Sequence, residues 1–370
     1  MKNPFKYGCV VEGEYFCPRP QLHKQLAAYI ESGQNVVIQG ARRMGKTSLI
    51  KETVGSMRGY RLLFVDLYCI RSLSDFCRRV MTGVGEASAQ MSFLKKAMSL
   101  VGRLRPVLSF DTNTGSPTIE IDAANANEPD SLGVTMGMIR KLASEEKMCV
   151  VFDEFQDILD LENADSILAE MRSTIQFQSE VPYLFSGSVR NEMARIFDDS
   201  ESPFFKSAIQ FTVGAIDKDE FAKFVVSRFK KGKRKIDTET AVSLIEYADS
   251  VSGDVQQICQ LIWDSTDEGQ AITLQDMNAA FELLFSREGE LYGESVRQLT
   301  PLQVSVLRML AGTSGLKTFS EEFMRKVGTN STGALRTALK RLVAKRMIYL
   351  YGNEYRFVNP FFKEWIRRKM

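Results

Sequence analysis

Gly40-Ala41-Arg42-Arg43-Met44-Gly45-Lys46-Thr47-Ser48 places two glycines, a lysine and two hydroxyls at a spacing that can enclose a polyphosphate. The pattern is G-x-x-x-x-G-K-[ST], a phosphate-binding loop. Its glycines let the backbone close around phosphate oxygens. Successive N–H groups and the N-terminus of a following helix supply positive potential. In such a loop Lys46 reaches the β- and γ-phosphates, and the Thr47 hydroxyl holds Mg²⁺.

A second constellation follows about a hundred residues later. Cys149-Val150-Val151-Phe152 is apolar and runs into Asp153-Glu154. Such a run suits a parallel strand buried on both faces. A carboxylate pair at its C-terminal end would lie beside the phosphate loop. There Asp153 can hold Mg²⁺ through water, and Glu154 can orient and deprotonate an attacking water. An ordinary strand with an acidic turn would carry the same letters. Downstream of a phosphate loop, the catalytic reading is the stronger.

These residues need a sheet to bring them together. Asn35–Gln39 predicts a buried strand before the loop, and Ser48–Glu52 continues as a helix. Arg61–Leu67, Cys149–Phe152, Val181–Ser188 and Ala208–Val213 predict four more strands. Gln21–Glu31 predicts an amphipathic helix, with Leu22, Leu26, Tyr29 and Ile30 on one face. Strands alternating with helical stretches imply an open parallel α/β sheet with ligand at the strand C-termini. Two alternating segments, Pro106–Asp111 and Pro117–Asp122, flank Thr112-Asn113-Thr114-Gly115 and predict an inserted β-hairpin. The polar stretch Ala123–Asp130 after it reads as loop.

Past Ile216 the periodicity is helical, over Asp217–Phe229, Glu239–Ala248 and Val255–Asp264. The basic run 228–235 reads as a solvated helix end rather than a nucleic-acid patch. From Thr300 three helices and a hairpin follow. The third helix, Ser331–Arg346, has Leu335, Leu339, Leu342 and Val343 as its apolar stripe. The hairpin pairs Met347–Tyr351 with Glu354–Val358. Together they predict a winged helix-turn-helix whose third helix can enter a DNA major groove. Arg336, Lys340, Arg341 and Lys345 are the candidate contacts. Residues 301–370 hold 14 Lys and Arg against 4 Asp and Glu, a net of +10, whereas the other 300 residues net −8. A basic module on an acidic body suits double-stranded DNA. A purely protein-docking role for the module stays open.

Composition narrows the class. The 370 residues suffice for two or three domains, and the 44% hydrophobic and 25% charged fractions are those of a soluble globular protein. No apolar run reaches membrane-span length, and the first residues lack a signal-peptide core, so a cytoplasmic location is expected. Six scattered cysteines and a single histidine make a zinc site improbable and free thiols the expectation.

In order along the chain, these segments resemble the archaeal-type ATPase family, within the AAA+/STAND division of P-loop NTPases. The resemblance implies a P-loop ATPase core (1–215, with the hairpin insertion near 106–122), a helical lid (216–297) and a winged helix-turn-helix (298–370). It also implies ATP or ADP with Mg²⁺ as cofactors. Phe16-Cys17-Pro18-Arg19 is similar to the family's hydrophobic-Gly-Arg segment before the first helix, with Cys17-Pro18 replacing the glycine. That segment implies adenine contacts near Phe16 and Cys17. Ser186-Gly187-Ser188 resembles the polar sensor after the fourth strand. Ser202-Pro203-Phe204-Phe205-Lys206 is similar to a Ser-Pro-Leu-Tyr-Gly-Arg stretch but lacks its Gly-Arg. Ser252-Gly253-Asp254 sits where the family has a Gly-x-Pro turn, and no arginine is there. A γ-phosphate-sensing arginine would come from Arg172, Arg190 or a neighbouring subunit of a nucleotide-dependent oligomer. Two functions remain in competition: an ATP-hydrolysing switch coupled to the winged helix, and a weakly hydrolysing, nucleotide-dependent scaffold on DNA or protein. A nucleoside kinase fits poorly, because such chains lack a winged helix.

Overall fold

Short apolar runs assemble one parallel sheet, and their alternation divides its two faces. The computed structural model describes residues 2–87, 106–110, 117–121, 131–188, 190–312, 317–351 and 354–370. The strands are β1 (Val36–Gln39), β2 (Arg61–Asp66), β3 (Pro106–Phe110), β4 (Pro117–Ile121), β5 (Met148–Asp153), β6 (Tyr183–Gly187) and β7 (Ile209–Thr212). Five of them pair in the order β2-β5-β6-β1-β7. All four pairings are parallel. Successive side chains point to opposite faces. Val36, Ile38, Cys149, Val151 and Leu184 therefore share one core with Leu26, Ile30, Leu49 and Val54. Val37, Val150, Phe152, Tyr183 and Phe185 share the other with Phe76, Met136, Leu168 and Phe197. Burial on both faces explains why β5 and β6 read as continuous apolar runs.

β3 and β4 form the expected antiparallel hairpin, with Pro106 opposite Ile121 and Phe110 opposite Pro117. Its connection at Thr112–Gly115 and the stretch Ala123–Asp130 lie outside the described residues, as does the wing turn Gly352-Asn353. The helix Leu73–Ala87 was not expected from the sequence; it packs on β2 and β4.

The chain divides into two compact units: Val10–Gly214, and Ala215–Met370 with Met1–Cys9. The sheet belongs to the first. In the second, helices Lys218–Lys231, Thr238–Tyr247 and Ser252–Ser265 match the helical stretches of the sequence. The last of these takes in Ser252-Gly253-Asp254, which periodicity leaves outside it. Phe5 is buried against Phe229 and Trp263, with ring centroids 4.7 and 6.3 Å away. Asn3 Nδ2 donates to Asp264 Oδ1 at 2.8 Å. The first residues are thus part of this unit's core.

A 24-residue helix, Leu274–Arg297, precedes the winged helix. Helices Pro301–Gly312, Glu321–Val327 and Thr332–Ala344 and strands β10 (Ile348–Tyr351) and β11 (Glu354–Phe357) reproduce the expected module; the short strands β8 (Lys235–Ile236) and β9 (Ala271–Ile272) precede it. The buried stripe of the third helix is Leu335, Ala338, Leu339 and Leu342. Val343 is 39% exposed, so the expected stripe is displaced by one side chain. A final helix, Pro360–Lys369, returns onto Leu274–Arg297, with Arg368 over the Phe281 ring at 5.1 Å. Among the described residues, no helix is long and apolar enough to cross a membrane.

Candidate nucleotide site

β1 feeds directly into the glycine-rich loop. A Cβ at Gly40 would collide with the Val213 carbonyl oxygen, so only glycine lets the loop leave the strand here. Gly45 adopts φ 82°, the left-handed region that favours glycine, and caps the helix Lys46–Ser56. Arg43 shares that region at φ 64°. Lys46 is 7% exposed, and its Nζ donates to Gly40 O at 3.0 Å and Ala41 O at 3.2 Å.

β5 delivers the acidic pair to the same edge of the sheet. Thr47 Oγ1 donates to Asp153 Oδ2 at 2.8 Å. Burial holds the Asp153 carboxyl above its ordinary range, against the lowering effect of Ser186, Thr47 and Lys46. Burial likewise holds Lys46 below its ordinary range, against the attraction of Glu154 and Asp153. The protein neighbours offset only part of what burial costs each charge. An anion at Lys46 and a cation at Asp153 would supply what burial removes. One hydroxyl and one carboxylate oxygen are a hard donor set suited to Mg²⁺, which takes few protein ligands and completes its shell with water and phosphate. The residues present therefore fit Mg²⁺ and a polyphosphate.

Glu154 occupies the left-handed region at φ 49°. The following side chain, Phe155, is buried and packs on Phe185 at 4.7 Å, which anchors this turn. Glu154 Oε2 accepts from Ser188 Oγ at 2.8 Å and from Gln156 Nε2 at 2.6 Å. Ser186 is fully buried at the end of β6, facing Asp153, but its Oγ has no hydrogen-bond partner of ordinary geometry among the described residues.

The N-terminal flank braces the loop. Arg19 is buried; Nη2 donates to Met44 O at 2.6 Å and Nη1 to Gly214 O at 2.7 Å. Burial lowers its pKa to about 10. Val11 N donates to Ser48 Oγ at 3.0 Å and Gly13 N to Glu52 Oε2 at 2.9 Å. Phe16 and Cys17 are buried, Phe16 within the core face that carries Leu49 and Ile50. Arg42 lies over the Tyr68 ring, 6.0 Å from its centroid.

The structure thus brings Lys46, Thr47, Asp153, Glu154 and Ser186 together. The sequence did not single out Gln156 or Ser188 as partners of Glu154; their polar types beside an acidic pair were the available signal. Arg172 is half-exposed on the helix Ala164–Ile175. The side chain of Arg190 lies outside the described residues. A hollow of about 500 Å³ beside Tyr60 and Lys147 opens at the N-terminal edge of the strands, away from the loop. In the other unit, Arg336, Lys340, Arg341 and Lys345 are all exposed.

Residues 290–368 match the family model described as a probable winged helix domain. Comparison with curated proteins finds no match. Among solved structures, the chain is similar to a Walker-type ATPase of Pyrococcus abyssi, with TM-score 0.66 and 19% identity over 96% of this chain and 97% of that one. It is also similar to the ADP form of the Aeropyrum pernix ORC2 protein, with TM-score 0.53 and 11% identity over 96% and 95%. The fold is that of a P-loop ATPase carrying a C-terminal winged helix.

Proposed function

We propose that the chain binds ATP with Mg²⁺, hydrolyses it to ADP and phosphate, and uses the nucleotide state to control its winged-helix module. The observation that carries this reading is the Thr47–Asp153 pair beside buried Lys46 at the C-terminal edge of a parallel sheet. Lys46 and the loop N–H groups bind the β- and γ-phosphates. Thr47 and Asp153 would hold Mg²⁺, which when bound would neutralise charge on the transferring phosphoryl group. Glu154 accepts the proton of the attacking water, and Ser186 supports Asp153. Phe16 and Cys17 flank the adenine. Arg19 links the loop at Met44 to Gly214, the last residue before the chain enters the second unit.

The similarity to a Walker-type ATPase supports the reading through fold alone. Steady-state phosphate release by the pure chain, with Glu154→Gln as control, tests it. A second reading, a nucleotide-dependent scaffold with little turnover, is favoured by the hydrogen bonds that occupy Glu154 Oε2. Tight nucleotide binding with no phosphate release would select it. The exposed basic side chains on the third helix of the winged-helix module suit duplex DNA as the partner.

A further inference from the structure

Glu154 must aim its carboxylate at a water, yet it stands at a strained backbone position at the end of a strand. What fixes its direction is a short polar chain leading away from the phosphate loop. Gln156, itself only 3% exposed, donates through one nitrogen to two carboxylates: Glu154 Oε2 at 2.6 Å and Asp157 Oδ1 at 2.9 Å. Its own Oε1 is buried and has no hydrogen-bond partner among the described residues. The opposite amide orientation would face an oxygen to both carboxylates, so the pair of acids fixes the side chain in one pose. Asp157 spends its second oxygen on the backbone N of Cys69, at 2.8 Å. Cys69 lies in the exposed turn after β2 and has φ 54°. That turn is tied down independently. Leu67 N donates to Asp153 O at 2.9 Å, and Arg79 Nη1 donates to Asp66 O at 2.7 Å and Tyr68 O at 2.9 Å.

We propose that Gln156 is the positioning residue for Glu154, and that the exposed Tyr68–Cys69 turn sets the aim of the base through Asp157 and Gln156. This rests on Glu154 being the base for hydrolysis. A change at the turn moves Asp157, Asp157 moves the Gln156 amide, and the amide moves a carboxylate whose usefulness depends on ångström placement. Gln156 has no hydrogen bond to Lys46 or Thr47, so its removal should leave nucleotide binding in place.

The test uses the full chain with Cys9→Ser, leaving Cys69 as the exposed thiol. Gln156→Ala should lower kcat for ATP by about 10–100-fold with KM held within about twofold. Its melting temperature should still rise with ATP·Mg²⁺, showing that it is folded and binds. A bulky maleimide on Cys69 should change kcat when Gln156 is present and leave kcat of Gln156→Ala unchanged, the non-additivity expected of coupled residues. A label with no effect on the Gln156 protein, or with the same fractional effect in both backgrounds, overturns the proposal, as does full kcat in Gln156→Ala. If Glu154→Gln is as active as the parent, the base assignment itself falls and takes this inference with it. If Glu154→Gln is inactive while Gln156→Ala is normal, only this inference falls.

Discussion

The Thr47 hydroxyl donates to Asp153 Oδ2 over 2.8 Å, joining residues 106 apart in sequence. The pairing places a buried carboxylate where its charge is costly unless a cation arrives. Asp153 has its folded pKa raised above the ordinary 3.8 by burial. Below pH 3.8 the group is protonated in both folded and unfolded chains, and its charge has no effect on stability. As pH rises through the raised folded value, the unfolded chain releases its proton more readily, and stability is lost. We predict that nucleotide-free Asp153→Asn melts above the parent at pH 7, because the buried charge is removed. The gap should close toward acid. The same variant should lose the Mg²⁺-dependent part of its stabilisation by ATP. Melting below the parent at pH 7 would show that the charge is already compensated.

Lys46 carries the complementary prediction. Ligand at about 100 times its dissociation constant stabilises a fold by roughly 2.7 kcal/mol. ATP with Mg²⁺ should raise the melting temperature accordingly, and Lys46→Ala should abolish the rise. An unchanged melting curve of the parent with saturating ATP, ADP and GTP would end the nucleotide-binding reading.

Glu154→Gln preserves size and the Ser188 contact but removes the base. We predict retained ATP binding with turnover reduced by about 10²–10⁴-fold. Equal phosphate release from both proteins would assign the base elsewhere.

Arg19 braces two backbone carbonyls rather than standing free for a ligand. Arg19→Ala leaves Met44 O and Gly214 O without their charged donor, a loss of about 1.5–3 kcal/mol for a hydrogen bond to a charged group. We expect a lower melting temperature together with weaker nucleotide binding, measured by calorimetric titration. Lower stability with unchanged affinity would confine Arg19 to a structural role.

Legibility from the sequence followed physical locality. The loop was readable because Gly40, Gly45, Lys46 and Thr47 act within one turn of backbone. β5 and β6 were readable because burial on both faces removes polar letters from the strand. Strand order was not, since nothing in Arg61–Asp66 announces that it pairs with Met148–Asp153 rather than with β1. Gln156 and Ser188 escaped for the same reason: their role arises only when β5 and β6 lie side by side. Phe5 was equally silent, because a single aromatic near the start of a chain has no periodicity. Its partners, Phe229 and Trp263, lie more than two hundred residues away. Pro360–Lys369 is amphipathic but short, and its anchors, Phe281 and Asn278, belong to a distant helix.

The last prediction concerns the winged helix. The buried stripe Leu335, Ala338, Leu339 and Leu342 turns Arg336, Lys340 and Arg341 outward, and Lys345 follows at the helix end. Among the described residues, none of these four forms an ion pair, in contrast to Arg367 and Arg368, which are held by Glu364 at 2.6 Å. Unpaired cations on one face suit phosphates better than a purely structural role does. Contact with duplex DNA would release condensed counterions, so log affinity should fall by roughly 0.9 per neutralised phosphate for each tenfold rise in salt. Replacing Arg336 and Lys340 with alanine should weaken binding and flatten that slope. Since neither side chain is buried, the substitutions should leave the melting temperature nearly unchanged, within about 0.5 kcal/mol each. Fluorescence anisotropy of the full chain on long mixed-sequence duplex, across a salt series, measures both quantities. No binding at protein concentrations of about 10⁻⁴ M and low salt, the weak end of non-specific affinity, would assign the module to protein docking instead.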